Sequence, residues 1–294
     1  MRRHLTVAYR VCPVLASTAA GYADKFEMVS DTTASLARAL EAIPCRVVVI
    51  LDGCPDEYRE LMERQFAGLE VEIVETPSIK NRPTFLRQMD ILLNVPDDEA
   101  VYFAEDDYLY RADAFRIMLA ALEREGVDFV TPLDHPDRYL RLLPEPEPTG
   151  SFDIESVRWH PVSSTCLTFL TTRRVLKEAE GFFRSYGGVT SDAGIWLALT
   201  HAGLFTFRHT VLAVLRYALG LRKSFAEFVP LEAWRRLGGR IISSRKFLLY
   251  GPEPSLCAHL CTQSLPPNAA EFVDDARKRD VQECVDAYLG DERP

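Results

Sequence analysis

Positive charge is in short supply in this chain. Its 34 Lys and Arg stand against 43 Asp and Glu, a net charge of −9 with the six His neutral. No basic footprint for a nucleic-acid partner remains. Long apolar runs are also missing, and none approaches the roughly 18 residues needed to cross a bilayer as a helix. The nearest is TVLAVLRYALGL, Thr210 to Leu221, which is short and interrupted by Arg216. Core packing is its expected role, and peripheral membrane contact the less favoured one. The start, MRRHLTVAYRV, has too short an apolar run for a secretory signal. The seven cysteines include no C-x-x-C pair, which speaks against a zinc ribbon. Cys257 and Cys261, four apart, would face one way on a helix, but buried free thiols are expected rather than a metal pair. Such thiol usage fits a reducing compartment, so a cytoplasmic location is expected. There is no internal repeat and no low-complexity tract.

Apolar residues make up 47% of the 294 and charged residues 26%, enough for a sizeable core. That length suits one large α/β domain or two small ones. Leu5 to Val11 reads as a strand. Phe26, Val29, Leu36 and Leu40 then fall on one helical face between about Asp24 and Ile43. RVVVIL, Arg46 to Leu51, is the continuous β-branched run of a strand buried on both faces. Helix, strand and helix follow, with Tyr58, Leu61, Met62 and Phe66, then Val71 to Val74, then Phe85, Met89, Leu92 and Leu93. Ala100 to Ala104 is the next strand. Phe115, Met118, Leu119 and Leu122 mark a helix, and Val127 to Thr131 a further strand. The alternation predicts an α/β fold with a mostly parallel sheet flanked by helices. Residues 134 to 150, with Pro136, Pro144, Pro146 and Pro148, read as loop. Ser163 to Thr171 reads as strand, Arg173 to Arg184 as helix, and Thr190-Ser191-Asp192 opens a helix that Gly203 closes. The expected organisation is an alternating α/β half over 1–133, a second half of the same domain over 134–265, and a helical tail over 266–294.

Right-handed crossovers put all parallel strand ends on one edge, where ligands bind. Cys12, Asp52 and Glu105 to Asp107 all lie at such ends. Three adjacent carboxylates repel one another, and a hard cation such as Mg²⁺ or Mn²⁺ relieves the repulsion while bridging to phosphate oxygens. Glu105 and Asp107 share a face, whereas Asp106 points into the fold or caps the next turn. Asp106 is also a candidate in donor binding. An acidic turn with a helix cap is the competing reading. Asp52 suits hydrogen bonds from a ribose or base edge, or simply a turn in Asp-Gly. Lys80, Asn81 and Arg82, before a helix, offer charge and amides to a diphosphate, or form a solvated loop. Asp192 is either a helix cap beside Ser191 or the general base for an acceptor hydroxyl. His259, expected in a loop, is a candidate metal ligand with His135, His160 and His209 as rivals.

The order of these features resembles the GT-A-fold, family-2-like nucleotide-sugar glycosyltransferases. VYFAEDDYLYRADAF is similar to their Asp-x-Asp block in a Glu-Asp-Asp form. TPLDHPDRY (Thr131 to Tyr139), WHPVSSTCLTFLTT (Trp159 to Thr172), SDAGIWLAL and PEPSLCAH also resemble segments of that family, over roughly residues 5 to 265. The resemblance implies a nucleoside-diphosphate sugar donor and a glycan or small-molecule acceptor. It implies Mg²⁺ or Mn²⁺ bound by Asp107 with Glu105 and His259, and Asp192 as base of an inverting transfer. The first strand end, Tyr9-Arg10-Val11-Cys12-Pro13, and the Ser before Asp192 depart from the family pattern. Two alternatives stay open, a nucleotidyltransferase and a non-catalytic nucleotide-sugar-binding module. YRVCPVLAST has no glycine, which counts against the triphosphate loop of the first. A phosphatase built on Asp52 is disfavoured, because Cys54 stands where its second acid would be.

Overall fold

A computed structural model describes residues 4–16, 18–146, 150–188, 190–205 and 225–290. The Thr210 to Leu221 segment and His209 lie outside the described residues.

The N-terminal half follows the expected alternation. Strands β1 (Leu5–Val11), β2 (Cys45–Asp52), β3 (Glu70–Thr76) and β4 (Ala100–Glu105) are separated by helices α1 (Lys25–Leu40), α2 (Asp56–Gln65) and α3 (Asn81–Leu93). They pair in parallel in the order β3-β2-β1-β4. The β-branched run in β2 is buried along both faces, as a strand covered by helices on each side must be. Asp24 caps α1, its side chain accepting from the Glu27 amide at 2.8 Å. Gln88 of α3 ties the helix to the sheet centre, its amide donating to the carbonyls of Ala8 and Ala104.

Beyond β4 the sheet becomes mixed. The remaining strands are β5 (Tyr108–Tyr110), β6 (Phe129–Val130), β7 (Phe152–Ile154), β8 (Val157–Pro161), β9 (Phe169–Thr172), β10 (Leu249–Glu253) and β11 (Cys257–His259). The full order is β3-β2-β1-β4-β9-β6-β10-β8-β7, with β9 antiparallel to both β4 and β6. The helices of this half are α4 (Ala114–Leu122), α5 (Asp137–Leu140), α6 (Arg173–Phe183), α7 (Asp192–Thr200), α8 (Phe225–Ser243) and α9 (Lys278–Leu289). The architecture is therefore α/β, a large sheet flanked by helices.

Several expectations are corrected. The 134–150 segment contains the helical turn α5, whose stop Arg141 takes a left-handed φ of 49°. The Ser163 to Thr171 strand shrinks to Phe169–Thr172. Side chains of α7 claim carbonyls that a strand would need, Thr200 taking Ser163 O and Trp196 Nε1 taking Cys166 O, both at 3.3 Å. His201, at φ 57°, ends α7 before Gly203 is reached. His259 and Cys257 lie on a strand, not in a loop or on a helix, with β11 paired antiparallel to β5. Among the described residues no helix is long and apolar enough to cross a membrane.

Candidate functional site at the carboxyl edge of the parallel strands

Parallel register brings the ends of β1, β2 and β4 together, with Arg10 opposite Glu105 and Asp52 opposite Thr76. A cleft of about 400 Å³ opens over this edge. Its lining includes Asp52, Lys80, Asn81, Glu105, Asp106, Asp107 and His259, brought together from four separate parts of the chain. Arg10, Cys12 and Lys25 line it as well. Arg82 and Asp192 are not among the lining residues.

The three consecutive acids are treated differently. Glu105 gives one carboxylate oxygen to the Arg10 guanidinium and the other to the Thr168 hydroxyl at 2.9 Å. Asp106 is buried, accepting from the Cys12 amide at 2.8 Å and pairing with Lys25 Nζ at 2.8 Å. Its burial raises its pKa against the pull of Lys25. Asp107 meets His259 Nε2 at 3.3 Å through one oxygen, while its other oxygen is buried with no hydrogen-bond partner among the described residues. Burial opposes ionisation of Asp107, but the adjacent His259 outweighs it and holds the carboxyl below its usual value.

His259 is placed by strand pairing. It sits opposite Tyr108 in the β5–β11 ribbon and stacks on that ring, with centroids 4.4 Å apart and planes 9° apart. The Leu260 amide donates to Asp107 O at 2.8 Å, which ties the ribbon to the acidic turn. On its far side the imidazole faces Cys166, Nδ1 to Sγ 3.6 Å. Burial would lower the His259 pKa, yet Asp107 and Cys166 together raise it well above the usual value. The thiol and the carboxylate thus engage opposite ring nitrogens, so only the Asp107 side of His259 can share a cation with that carboxylate.

Asp52 spends its acceptors inside the protein. Oδ1 accepts from the Thr76 hydroxyl at 2.7 Å and the Ile79 amide at 2.6 Å, and Oδ2 from the Lys80 amide at 2.8 Å. The carboxylate therefore shapes the 76–80 loop, where Ser78 and Lys80 adopt φ of 54° and 72°. Gly53, at φ 68°, packs so tightly on this loop that a Cβ would lie 2.8 Å from Ser78 Cβ. Asn81 is bonded by Arg10 and donates to the Tyr186 hydroxyl at 3.1 Å. Arg82 Nε donates to Tyr186 O at 2.8 Å, bracing the connection before α7 instead of entering the cleft.

Asp192 is the first residue of α7. Ser191 caps the helix, leaving the Asp192 side chain with one bond, from the Ala193 amide at 2.8 Å. Burial raises its pKa, and Glu105, His135 and Asp137 are close enough to act on it electrostatically.

Fit for a divalent cation can be judged from these atoms. The orphaned Asp107 oxygen beside an imidazole suits Mg²⁺ or Mn²⁺, which commonly take one or two protein donors and complete their shell with phosphate oxygens. Among the described residues no three His, Cys, Asp or Glu side chains are arranged to hold a metal by themselves. Sequence reasoning missed Arg10 and Lys25 as cleft residues. Arg10 sits on the same face as the strand-end acid it pairs with, which was the available signal. Lys25 joins the site only through the packing of α1.

No protein-family model and no curated protein matches the chain. Solved structures do align with it. A mannosyltransferase from Pyrobaculum calidifontis, in complex with GDP-Man and Mn²⁺, is 14% identical over 81% of this chain and 71% of its own, with a TM-score of 0.46. The glycosyltransferase GlyE of Streptococcus pneumoniae is 12% identical over 98% of this chain and 62% of its own, with a TM-score of 0.40. A 4-diphosphocytidyl-2C-methyl-D-erythritol synthase from Anaerococcus prevotii is 11% identical over 66% and 81%, also at 0.40. At these scores and identities the likenesses carry no argument about the reaction, which rests on the side chains themselves.

Proposed function

We propose that the chain is a glycosyltransferase that takes a nucleoside-diphosphate sugar and passes the sugar to an acceptor hydroxyl. The observation that carries this reading is the Asp107–His259 pair at 3.3 Å, with a buried carboxylate oxygen left unpartnered at the edge of a 400 Å³ cleft. When bound, Mg²⁺ or Mn²⁺ supplies charge that offsets the diphosphate leaving group. Asp107 and His259 would hold it, with Glu105 fixed behind them by Arg10 and Thr168.

The remaining steps belong to the chain's own groups. The 76–80 loop, shaped by Asp52, and the amino-terminal end of α3 receive the phosphates and nucleoside. Asp106 acts in donor binding indirectly, by anchoring Cys12 and Lys25 in the cleft wall. Asp192 takes the proton from the acceptor hydroxyl, which makes the transfer a single inverting displacement. Burial supports that role, since a carboxylate with a raised pKa is a stronger base than an exposed one. Nothing in the Tyr9 to Thr18 stretch favours nucleotidyl transfer instead, because that segment has no glycine to cradle a triphosphate.

Thermal-shift or calorimetric titration with UDP-, GDP-, dTDP- and CMP-sugars, with and without Mn²⁺, tests this directly. At least one donor is expected to stabilise the protein only when metal is present. Absence of any metal-dependent stabilisation would sink the reading.

A further inference from the structure

A second cavity, of about 430 Å³, lies in the C-terminal half, and its lining includes His135, Arg138, Arg141, His160, Ser163 and Ser164. We propose that it receives the acceptor, and that the acceptor is a polyhydroxylated molecule bearing an oxyanion, such as a saccharide carboxylate or phosphate, gripped by Arg138 and Arg141. This rests on the glycosyltransferase reading for the word acceptor, but the class of ligand follows from the cavity alone.

The lining is rich in hydrogen-bond donors. Arg138 is already oriented, with Nη2 2.7 Å from Glu253, Nη1 3.4 Å from Asp134, and its guanidinium 5.3 Å from the Tyr139 ring centre. A guanidinium has five N–H groups, so several are left for a ligand. Arg141 forms no ion pair among the described residues and is exposed. The hydroxyls of Ser163 and Ser164 likewise bond no protein group among those residues. Donors without acceptors call for an acceptor-rich ligand, and a planar guanidinium fork matches carboxylate or phosphate.

The acidic side chains nearby are mostly engaged. Asp134 and Glu253 pair with Arg138, and Glu253 also meets His160 Nε2 at 2.8 Å. Asp137 faces His135 at 3.4 Å, while Glu145 is exposed. His135 is held protonated up to about 10: burial opposes this, but Asp137 and Cys166 prevail. Arg138 is thus balanced by Asp134 and Glu253, and His135 by Asp137, so among the described lining residues Arg141 is the cation without an ionic partner, within a chain whose net charge is −9. Leu133, Leu143 and Val162 supply apolar wall for a ring face. Asp192 feels both His135 of this cavity and Glu105 of the cleft. Cys166, just beyond Ser163 and Ser164 in the chain, touches His259. Asp192 itself lines neither space, and its electrostatic reach to His135 and Glu105 is what relates them.

The test is saturation-transfer NMR and calorimetry on the full chain, with D-glucuronate, D-glucose 6-phosphate, D-glucose and inorganic phosphate as probes. One or both charged sugars are expected to bind about tenfold more tightly than glucose or inorganic phosphate. Their ratio distinguishes carboxylate from phosphate. Arg141→Gln should remove that advantage, and Arg141→Lys should retain most of it. The proposal is overturned if glucose binds as well as the charged sugars, if inorganic phosphate alone binds as well, if none of the probes binds, or if Arg141→Gln changes nothing. Titration of a nucleotide sugar with Mn²⁺ on the same samples reports the cleft separately. Failure there would sink the transferase reading and leave the anion site standing.

Discussion

Asp106 and Asp107 are neighbours in the chain, yet one pairs with Lys25 at 2.8 Å and the other with His259 at 3.3 Å. Their substitutions should separate accordingly. Asp107→Ala is expected to lower metal-dependent nucleotide affinity by at least roughly a hundredfold while costing less stability than Asp106→Ala, because only one of its oxygens meets His259 and the imidazole can shed its proton. Asp106→Ala leaves a buried ammonium unpaired and should cost about 3 kcal/mol in denaturant unfolding. Equal effects on stability would mean that the division between the two acids is wrong. Asp192→Asn should keep donor affinity and lose transfer by about a hundredfold or more. The same residue sets a pH dependence. Its folded pKa is raised by burial, and the active form is the ionised one. Activity should therefore fall as pH drops, on a limb above the ordinary aspartate value of 3.8. A kcat/KM profile that stays flat down to about pH 4 would remove Asp192 as the base.

At the scale of elements, the regular parts were legible. A β-branched run and two helical stripes foretold β2, α1 and α2, because burial on two faces or one stripe imposes a period on the residues themselves. Strands β5 and β11 were not legible. Each is three residues long, and each exists because the other pairs with it across about 150 positions of sequence. No local window contains that partner. His259 was accordingly placed in a loop, although the strand pairing is what aims its imidazole at Asp107. The turn after β2 gives an element-level prediction. Gly53→Ala must move Ser78 or the backbone, since the added carbon would sit 2.8 Å away at a φ of 68°. It should destabilise by about 1–3 kcal/mol and weaken nucleotide binding through the 76–80 loop. Unaltered affinity would detach that loop from the donor site.

Across the whole molecule, the last helix is part of the support for the cleft. Val281, Val285 and Leu289 of α9 are buried against Ala20, Met28, Leu109 and Leu260, which flank the cleft wall and the His259 strand. Removing residues 278–294 would expose this surface. Each such aliphatic side chain is worth about 1.5–3 kcal/mol when buried, so the truncated chain should lose several kcal/mol and bind nucleotide less well. A truncation with unchanged unfolding midpoint would show that α9 is dispensable. The acidic net charge acts at the same scale, since a guanidinium with no ionic partner among the described residues, such as Arg141, stands out against an otherwise anion-repelling surface.

By itself the sequence determined the α/β class, the edge on which Asp52 and the three acids converge, and the acidic net charge. Periodicity, strand ends and charge balance are all properties of the chain before it folds. Only the tertiary structure decided which acid is free. Arg10, Thr168, Lys25 and the Cys12 amide consume the carboxylates of Glu105 and Asp106, and these partners come from a strand, a helix and two connecting segments. It also decided that Arg82 braces Tyr186 while Arg141, beside a cavity, has no ionic partner among the described residues. Both are arginines at helix ends, and what separates them is the distance to a partner, which sequence spacing does not contain.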